Sequence, residues 1–173
     1  VTIDKSLTFS EHSQSLAKSA KRAAYLTLRC FHSGRVSTLL RAYITYVRPK
    51  MEYATQVFFP TFKKDRDALE RVQQYYTRRL FVKCGLKKTN YESRLKFLRL
   101  DRLDIRRVKL DLLTAYKMYH QQTLDCDVLQ LSQSTIQTRN ECLILKDVNV
   151  CLARANYFGN RVANSWNDLP SNV

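Results

Sequence analysis

The stretch LLRAYITYVRPKMEYATQVFFP, residues 39–60, decides the fold of this chain. Before its first proline the apolar residues recur every three or four positions, which is the spacing of a buried helix face. Pro49 has no backbone N–H and disfavours helical dihedral angles at the residue before it. We therefore predict a helix capped by Ser37 that bends or breaks at Pro49 and resumes, if at all, over residues 51–54. Packing the core is its main expected role.

Further helices are predicted on both sides of this stretch. One begins at Ser10 as its N-cap, and another covers residues 65–81 and is terminated by Gly85 in a left-handed conformation. The sequence TNYE, residues 89–92, fits a capping box at the start of a short helix. A long helix covers residues 103–121. Its predicted inward positions are Ile105, Val108, Leu112, Ala115 and Tyr119.

The remaining segments are predicted to be shorter or less regular. VTID, residues 1–4, alternates apolar and polar side chains as a short strand does, and CLILKDVNV, residues 142–150, is rich in β-forming residues. With three glycines and three prolines in 173 residues, the composition disfavours a turn-rich β fold. The predicted fold class is mainly α: a helical bundle with a short N-terminal strand and a small extended segment near the C-terminus.

The charge of the chain predicts a polyanionic partner. Thirty Lys and Arg against fifteen Asp and Glu leave a net charge of +15, which repels itself in the compact state. Nucleic acid is the first candidate partner and an anionic membrane surface the second. A basic surface without any partner stays open as the third interpretation.

Basic helices interleaved with tyrosines are the candidate binding chemistry. Lys and Arg neutralise phosphates and release counterions, and tyrosines stack on bases. Tyr75 lies on a different helix face from Tyr76 and is the candidate for stacking, whereas Tyr76 is expected in the core. The predicted nucleic-acid-binding residues are Lys18, Lys21, Arg22, Arg29, Arg41, Tyr75, Arg78, Arg79, Lys83, Lys87, Lys88, Arg106 and Arg107.

Residue patterns of common catalytic centres are missing from the sequence. A two-metal polymerase site uses paired carboxylates, and no two acidic residues are adjacent in this chain. Asp101 and Asp104 lie one turn apart and suit a helix N-terminus. The five cysteines and three histidines have no zinc-ligand spacing, and no phosphate-binding glycine loop occurs. We expect no catalytic residue, no metal site and no cofactor in this chain, and a reducing compartment.

Several motifs, in this order, resemble the C-terminal region of reverse transcriptases from non-LTR (LINE-type) retrotransposons, with the jockey-like elements as the nearest group. The most specific are VRPKMEYA (residues 47–54), LERVQ (69–73), YESRL (91–95) and NRVANSWNDLP (160–170). The resemblance covers nearly the whole chain and is weakest over residues 126–150.

The resemblance implies a division of the chain. It implies the end of a palm strand at residues 1–9, a helical thumb-like domain at 10–124, a linker or extended segment at 125–150 and a C-terminal amphipathic helix at 151–173. The catalytic palm, with its paired aspartates and Mg²⁺, would lie upstream. The chain is therefore expected to be a fragment of an RNA-directed DNA polymerase that is inactive on its own.

The resemblance also implies partners. The thumb of such an enzyme grips the primer–template duplex through its phosphates without reading the sequence. Expected partners are an RNA template, an RNA–DNA or DNA duplex and the palm domain of the parent polymerase, with no membrane. The expected location is intracellular, in the nucleus and cytoplasm.

A second function stays open beside nucleic-acid binding. The chain could be a protein-interaction module or a non-functional remnant of a mobile element. A large exposed apolar patch would indicate such a module. Binding to nucleic acid that is unaffected by charge reversal of Arg78 and Arg79 would favour it.

Overall fold

The computed structural model describes residues 1–121, 129, 143–148 and 151–170. Within these residues the protein is mainly α-helical and contains no strand. The chain divides into two compact units. The first comprises Val1–Ala54 with Pro60–Ile105, and the second comprises Thr55–Phe59 with Arg106–Val173.

The helices follow one another with short connections. Those of the first unit are α1 (Ser10–Cys30), α2 (Val36–Ala42), a π-helical segment (Tyr43–Val47), α3 (Arg48–Glu52), α4 (Lys63–Lys83) and α5 (Tyr91–Leu98). The next helix, α6 (Leu103–Gln121), begins in the first unit and continues in the second. The second unit also holds α7 (Leu152–Ala155) and α8 (Phe158–Asn167).

Helices α1 and α4 form the frame of the first unit. Each has 21 residues, and they lie side by side in parallel. Near their N-terminal ends, Ser10 Oγ donates a hydrogen bond to Asp65 Oδ2 at 2.6 Å. At their C-terminal ends, Lys83 Nζ donates to the carbonyl oxygen of Leu28. Both pairs are separated by 55 positions, so the helices keep one register over about 30 Å.

The core of the first unit is apolar and has one buried polar network in it. Gln73 has no exposed surface. Its Oε1 accepts a hydrogen bond from Tyr43 Oη at 2.6 Å, and its Nε2 donates to Tyr91 Oη and to the Asp101 carbonyl oxygen, both at 2.9 Å. Tyr91 in turn donates to the carboxylate of Glu70. The amide therefore joins the π-helical segment, α4, α5 and the connection before α6 with its hydrogen bonds satisfied.

The predicted interruption near Pro49 is present, but the predicted resumption over residues 51–54 is wrong, because α3 already begins at Arg48 and ends at Glu52. Tyr43–Val47 is π-helical, and the N–H of Arg48 bonds to the carbonyl oxygen of Tyr43, five residues earlier. Pro49 then occupies the first turn of α3, where a missing N–H breaks no hydrogen bond within the helix. The helix thus resumes at once, without a gap.

In the second unit, asparagine side chains bind a short segment of irregular backbone. Asn167 exchanges two hydrogen bonds with the backbone of Ile144, both at 3.0 Å. Asn160 Oδ1 accepts the backbone N–H of Asp147 at 3.0 Å. The backbone of Ile144 and Asp147 is therefore bonded to side chains of α8. The predicted extended segment forms no strand in its described part; residues 142, 149 and 150 lie outside the described residues.

The predicted N-terminal strand is also wrong. Asp4 accepts hydrogen bonds from the backbone N–H and the hydroxyl of Thr8, at 2.8 and 2.7 Å, and a turn forms between them. These hydrogen bonds lower the pKa of Asp4. Four alternating residues are too few to form a strand without a neighbouring strand.

Three predicted helix caps are wrong, although the helices themselves are confirmed. Ser10 is the first residue of α1 and Phe9 is its N-cap, while α2 begins before Ser37. The cap of α5 is Asn90, whose side chain accepts the N–H three residues on at 2.8 Å, and not Thr89. Several residue types can cap a helix, so neighbouring candidates compete.

The inward face of α6 differs from the predicted one. Ile105 and Val108 are exposed, whereas Arg107 and Asp111 are buried together with Ala115. The burial of Asp111 is possible because it forms an ion pair inside the second unit.

The C-terminal amphipathic helix is predicted as one element, and the described residues contain two, α7 and α8, the second ending before Pro170. The linker or extended segment predicted at residues 125–150 lies outside the described residues except for residues 129 and 143–148. Among the helices described, none is both long enough and apolar enough to cross a membrane.

Candidate nucleic-acid interface

The C-terminal halves of α1 and α4 form one basic surface, here named the α1–α4 surface. No Asp or Glu occurs from His12 to Met51, or from Arg71 to Tyr91. Because the two helices are parallel, the negative ends of their dipoles lie side by side, and cations are favoured there. Across this surface no carboxylate from either helix competes with a bound phosphate.

The Tyr75 ring on this surface is contacted by one cation from each helix. The Lys21 ammonium lies 6.0 Å from its ring centre, and the Arg79 guanidinium carbon lies 5.7 Å from it. A tyrosine ring attracts cations over its face. Tyr75 is half-buried, and its ring positions cations, which argues against the base stacking predicted for it.

A groove runs between the C-terminal halves of the two helices; we name it the α1–α4 groove. It has a volume of about 440 Å³. Its lining combines aromatic, apolar and basic side chains and contains no acid. The residues are Tyr25, Leu28 and Arg29 from α1, with Tyr75, Arg79, Val82 and Lys83 from α4.

A second groove, the α4–α5 groove, has a volume of about 330 Å³. Arg79 and Val82 line both grooves, so the two adjoin. The other lining residues are Arg78, Phe81, Leu86, Lys88, Thr89 and Arg94. Arg94 is held by a hydrogen bond to the Thr89 carbonyl oxygen at 2.6 Å, and burial lowers its pKa. This groove also lacks an acidic side chain.

Besides Lys83, which also lines a groove, the structure brings six of the thirteen predicted binding residues to these grooves or to the Tyr75 ring with exposed or half-buried side chains. They are Lys21, Arg29, Tyr75, Arg78, Arg79 and Lys88. Lys18 and Arg22 are exposed on α1, Arg41 is exposed on α2, and Lys87 is exposed after α4.

Three predicted residues have other positions. Lys83 lines the α1–α4 groove, but its ammonium donates to the carbonyl oxygens of Leu28 and Phe31, so it caps the C-terminal end of α1. Arg107 is 2% exposed, and its burial argues against a phosphate contact. Arg106 is half-buried and, like Arg107, belongs to the second unit.

Sequence reasoning missed Tyr25, Val82 and Arg94 as parts of this interface. Two signals in the sequence bear on them. The acid-free runs in α1 and α4 are visible directly, and they mark the halves of the helices that carry the grooves. The register of 55 positions, which places Tyr25 beside the end of α4, is visible only in the structure.

The described residues contain no group of three or more His, Cys, Asp or Glu that could hold a metal ion. Cys30, Cys84 and Cys151 are free thiols, and burial raises the pKa of the Cys84 thiol. The chemistry available at the interface is therefore cationic and aromatic.

Comparison with known proteins gives one distant relative. A protein of Caenorhabditis elegans, itself described only as uncharacterized, is 32% identical over 95 residues. The match covers 55% of this chain and 48% of the relative, so the chain spans about half the length of that relative. No protein-family model matches the sequence. No solved structure matches either.

Proposed function

We propose that this chain binds a nucleic-acid duplex through its phosphates, as the thumb-like region of an RNA-directed DNA polymerase of the non-LTR retrotransposon type. The observation that carries the proposal is the α1–α4 surface with its two acid-free grooves. Arg29 and Arg79 lie in one groove and Arg78 and Lys88 in the other. Cations on a rigid frame suit phosphate contacts, which position a duplex without reading its bases.

The length of the surface agrees with a duplex partner. From Lys21 to Arg29 the helix rises about 12 Å at 1.5 Å per residue. One strand of a duplex carries a phosphate about every 3.4 Å along its axis, so this length faces roughly three to four phosphates. Shape and sugar–phosphate contacts are also the main means by which an RNA-containing helix is recognised.

The remaining parts of the proposal follow from the resemblance. The duplex is an RNA–DNA hybrid or DNA, an RNA template is the second partner, and the palm of the parent polymerase is the third. Catalysis and Mg²⁺ binding belong to that palm, and the chain has no activity by itself. The protein acts in the nucleus and cytoplasm.

Fluorescence anisotropy with a labelled RNA–DNA hybrid across a KCl series tests the proposal. With about six phosphate contacts, the logarithm of the binding constant falls against the logarithm of salt with a slope of roughly −4 to −5. The double variant Arg78→Glu, Arg79→Glu is expected to bind more weakly and to lose about 2 from the steepness of the slope. A slope near zero for the parent chain contradicts the proposal.

The matched control is Lys63→Glu with Lys64→Glu. It changes the net charge equally on the same helix, but at the N-terminal end, away from both grooves. We expect it to keep the slope of the parent chain within about 0.5, less than one phosphate contact. Equal losses in the two double variants would show that overall charge, and not this surface, binds the duplex.

A further inference from the structure

We propose that the α1–α4 groove binds one unpaired nucleotide that continues from the end of the bound duplex. This inference rests on the proposed function and names a second element of the nucleic acid that the protein recognises. The groove is suited to something other than phosphate alone, because four of its seven lining residues are aromatic or aliphatic.

Tyr25 supplies the surface for the base. Its side chain is 52% exposed within the groove, whereas the Tyr75 ring is half-buried and contacted by cations. Leu28 and Val82 add apolar side chains to the lining of the groove. An unstacked base binds to such a combination because every base has a π face, so the site needs no particular base.

Arg29 and Arg79 supply the charge for the phosphates of the same nucleotide. Both line the groove, and no acidic residue does. A volume of about 440 Å³ lies within the range of small-ligand sites, roughly 300–1,000 Å³. A paired base cannot enter, because its faces are stacked within the duplex. The occupant is therefore an unpaired nucleotide beside the duplex that the same surface holds.

The test compares three RNA–DNA hybrids of equal paired length. One is blunt, one has a two-nucleotide single-stranded extension, and one has an extension of equal charge made of abasic nucleotides. Base stacking on an aromatic side chain predicts that the normal extension binds at least about fivefold more tightly than the abasic one. The comparison is repeated with the extension placed on the RNA strand or on the DNA strand, and at the 5′ or the 3′ end.

Variants locate the effect. Tyr25→Ala is expected to abolish the difference between normal and abasic extensions, while Tyr25→Phe, which keeps the ring, retains it. Tyr53→Ala, an exposed tyrosine of the first unit outside the groove, retains it as well. Each variant is read by the ratio of its affinities for the normal and the abasic extension, and Tyr53→Ala is the variant expected to keep the blunt-hybrid affinity of the parent chain.

Two outcomes overturn the inference. The first is equal affinity for normal and abasic extensions, which is also expected if the groove binds an aromatic side chain of an acidic partner protein. The second is a preference for the normal extension that persists in Tyr25→Ala. If the blunt hybrid binds but the extension adds nothing, only this inference fails. If the blunt hybrid does not bind, the proposed function fails.

Discussion

Arg161 shows how a basic side chain can serve the fold and not a ligand. Its Nε donates to Asp111 Oδ2 at 2.8 Å and its Nη2 to Oδ1 at 3.0 Å, in a two-pronged ion pair that is almost completely buried. The same guanidinium donates to the carbonyl oxygen of Thr55 at 2.6 Å and lies over the rings of Phe59 and Phe158. Part of the excess positive charge is thus used inside the second unit.

Replacing Arg161 by alanine is expected to destabilise the second unit by about 3–5 kcal/mol, because Asp111 is left buried without its partner. Arg161→Lys keeps the charge but loses the planar pair of donors, and we expect a smaller loss. Urea unfolding followed by circular dichroism measures both.

Arg154→Ala is the matched control for this prediction. Arg154 also forms an ion pair, with Asp147 at 2.7 Å, but it is half-exposed. An exposed ion pair contributes little to stability because solvent screens it, so this variant should unfold close to the parent chain. If Arg154→Ala destabilised the protein as much as Arg161→Ala does, burial would not be what determines the destabilisation.

At the scale of elements, the parallel packing of α1 and α4 decides where the charges lie. Two aligned helices place both negative dipole ends together, an arrangement that cations at those ends stabilise. Lys83 does so directly, by donating to the last carbonyl groups of α1. The remaining cations on this end face outward, so the packing that stabilises the helix pair also creates the candidate interface.

The end of α4 depends on Gly85, which has a φ of +67° as predicted from the sequence. A Cβ atom added at Gly85 meets nothing within 4 Å, so Gly85→Ala tests backbone strain alone. The left-handed conformation costs an alanine about 1–2 kcal/mol, and we expect that loss of stability. Thermal and urea unfolding measure it.

Gly34→Ala is the comparison for Gly85→Ala. Gly34 has no positive φ, and its added Cβ makes only an ordinary contact at 3.9 Å with the carbonyl oxygen of Lys83. Because alanine restricts the unfolded chain more than glycine does, this variant should be neutral or slightly more stable. A similar loss at both positions would refute strain at Gly85 as the cause.

At the scale of the whole molecule, three buried tyrosines make the stability of the first unit depend on pH. Burial raises the pKa of Tyr43, Tyr76 and Tyr91 well above the ordinary value, and the hydrogen bond to Glu70 raises that of Tyr91 further. Above a pH of about 10 the unfolded chain loses these protons while the folded chain keeps them. The contribution of these three tyrosines to the free energy of unfolding is therefore fully present below a pH of about 10, and it is lost as the pH rises further.

Alkaline titration measures this linkage. Tyrosinate absorbance and far-ultraviolet circular dichroism are followed together, and absorbance equivalent to at least three tyrosines is expected to appear only as helicity is lost. Tyr76→Phe should remove one tyrosine from that late step. Complete ionisation of all tyrosines in a fully helical protein would contradict the burial of these three.

The sequence alone determined the elements that local chemistry controls. Helices α1, α4, α5 and α6, the interruption before Pro49 and the left-handed Gly85 were all predictable, because helical periodicity and the missing N–H of proline act within a few residues. The excess of positive charge is also a property of the sequence, and it predicts a polyanionic partner without any knowledge of the fold.

Only the tertiary structure decided which of the positive residues share a surface. The register of α1 against α4 puts Lys21 and Arg79 on one tyrosine ring, and it uses Lys83 as a cap. Likewise, no periodicity could place Arg107 inside, since an apolar pattern predicts charged residues outside. The physical reason is that the exposure of a lysine or arginine depends on residues far away in the sequence. These residues come into contact with it only when the chain folds.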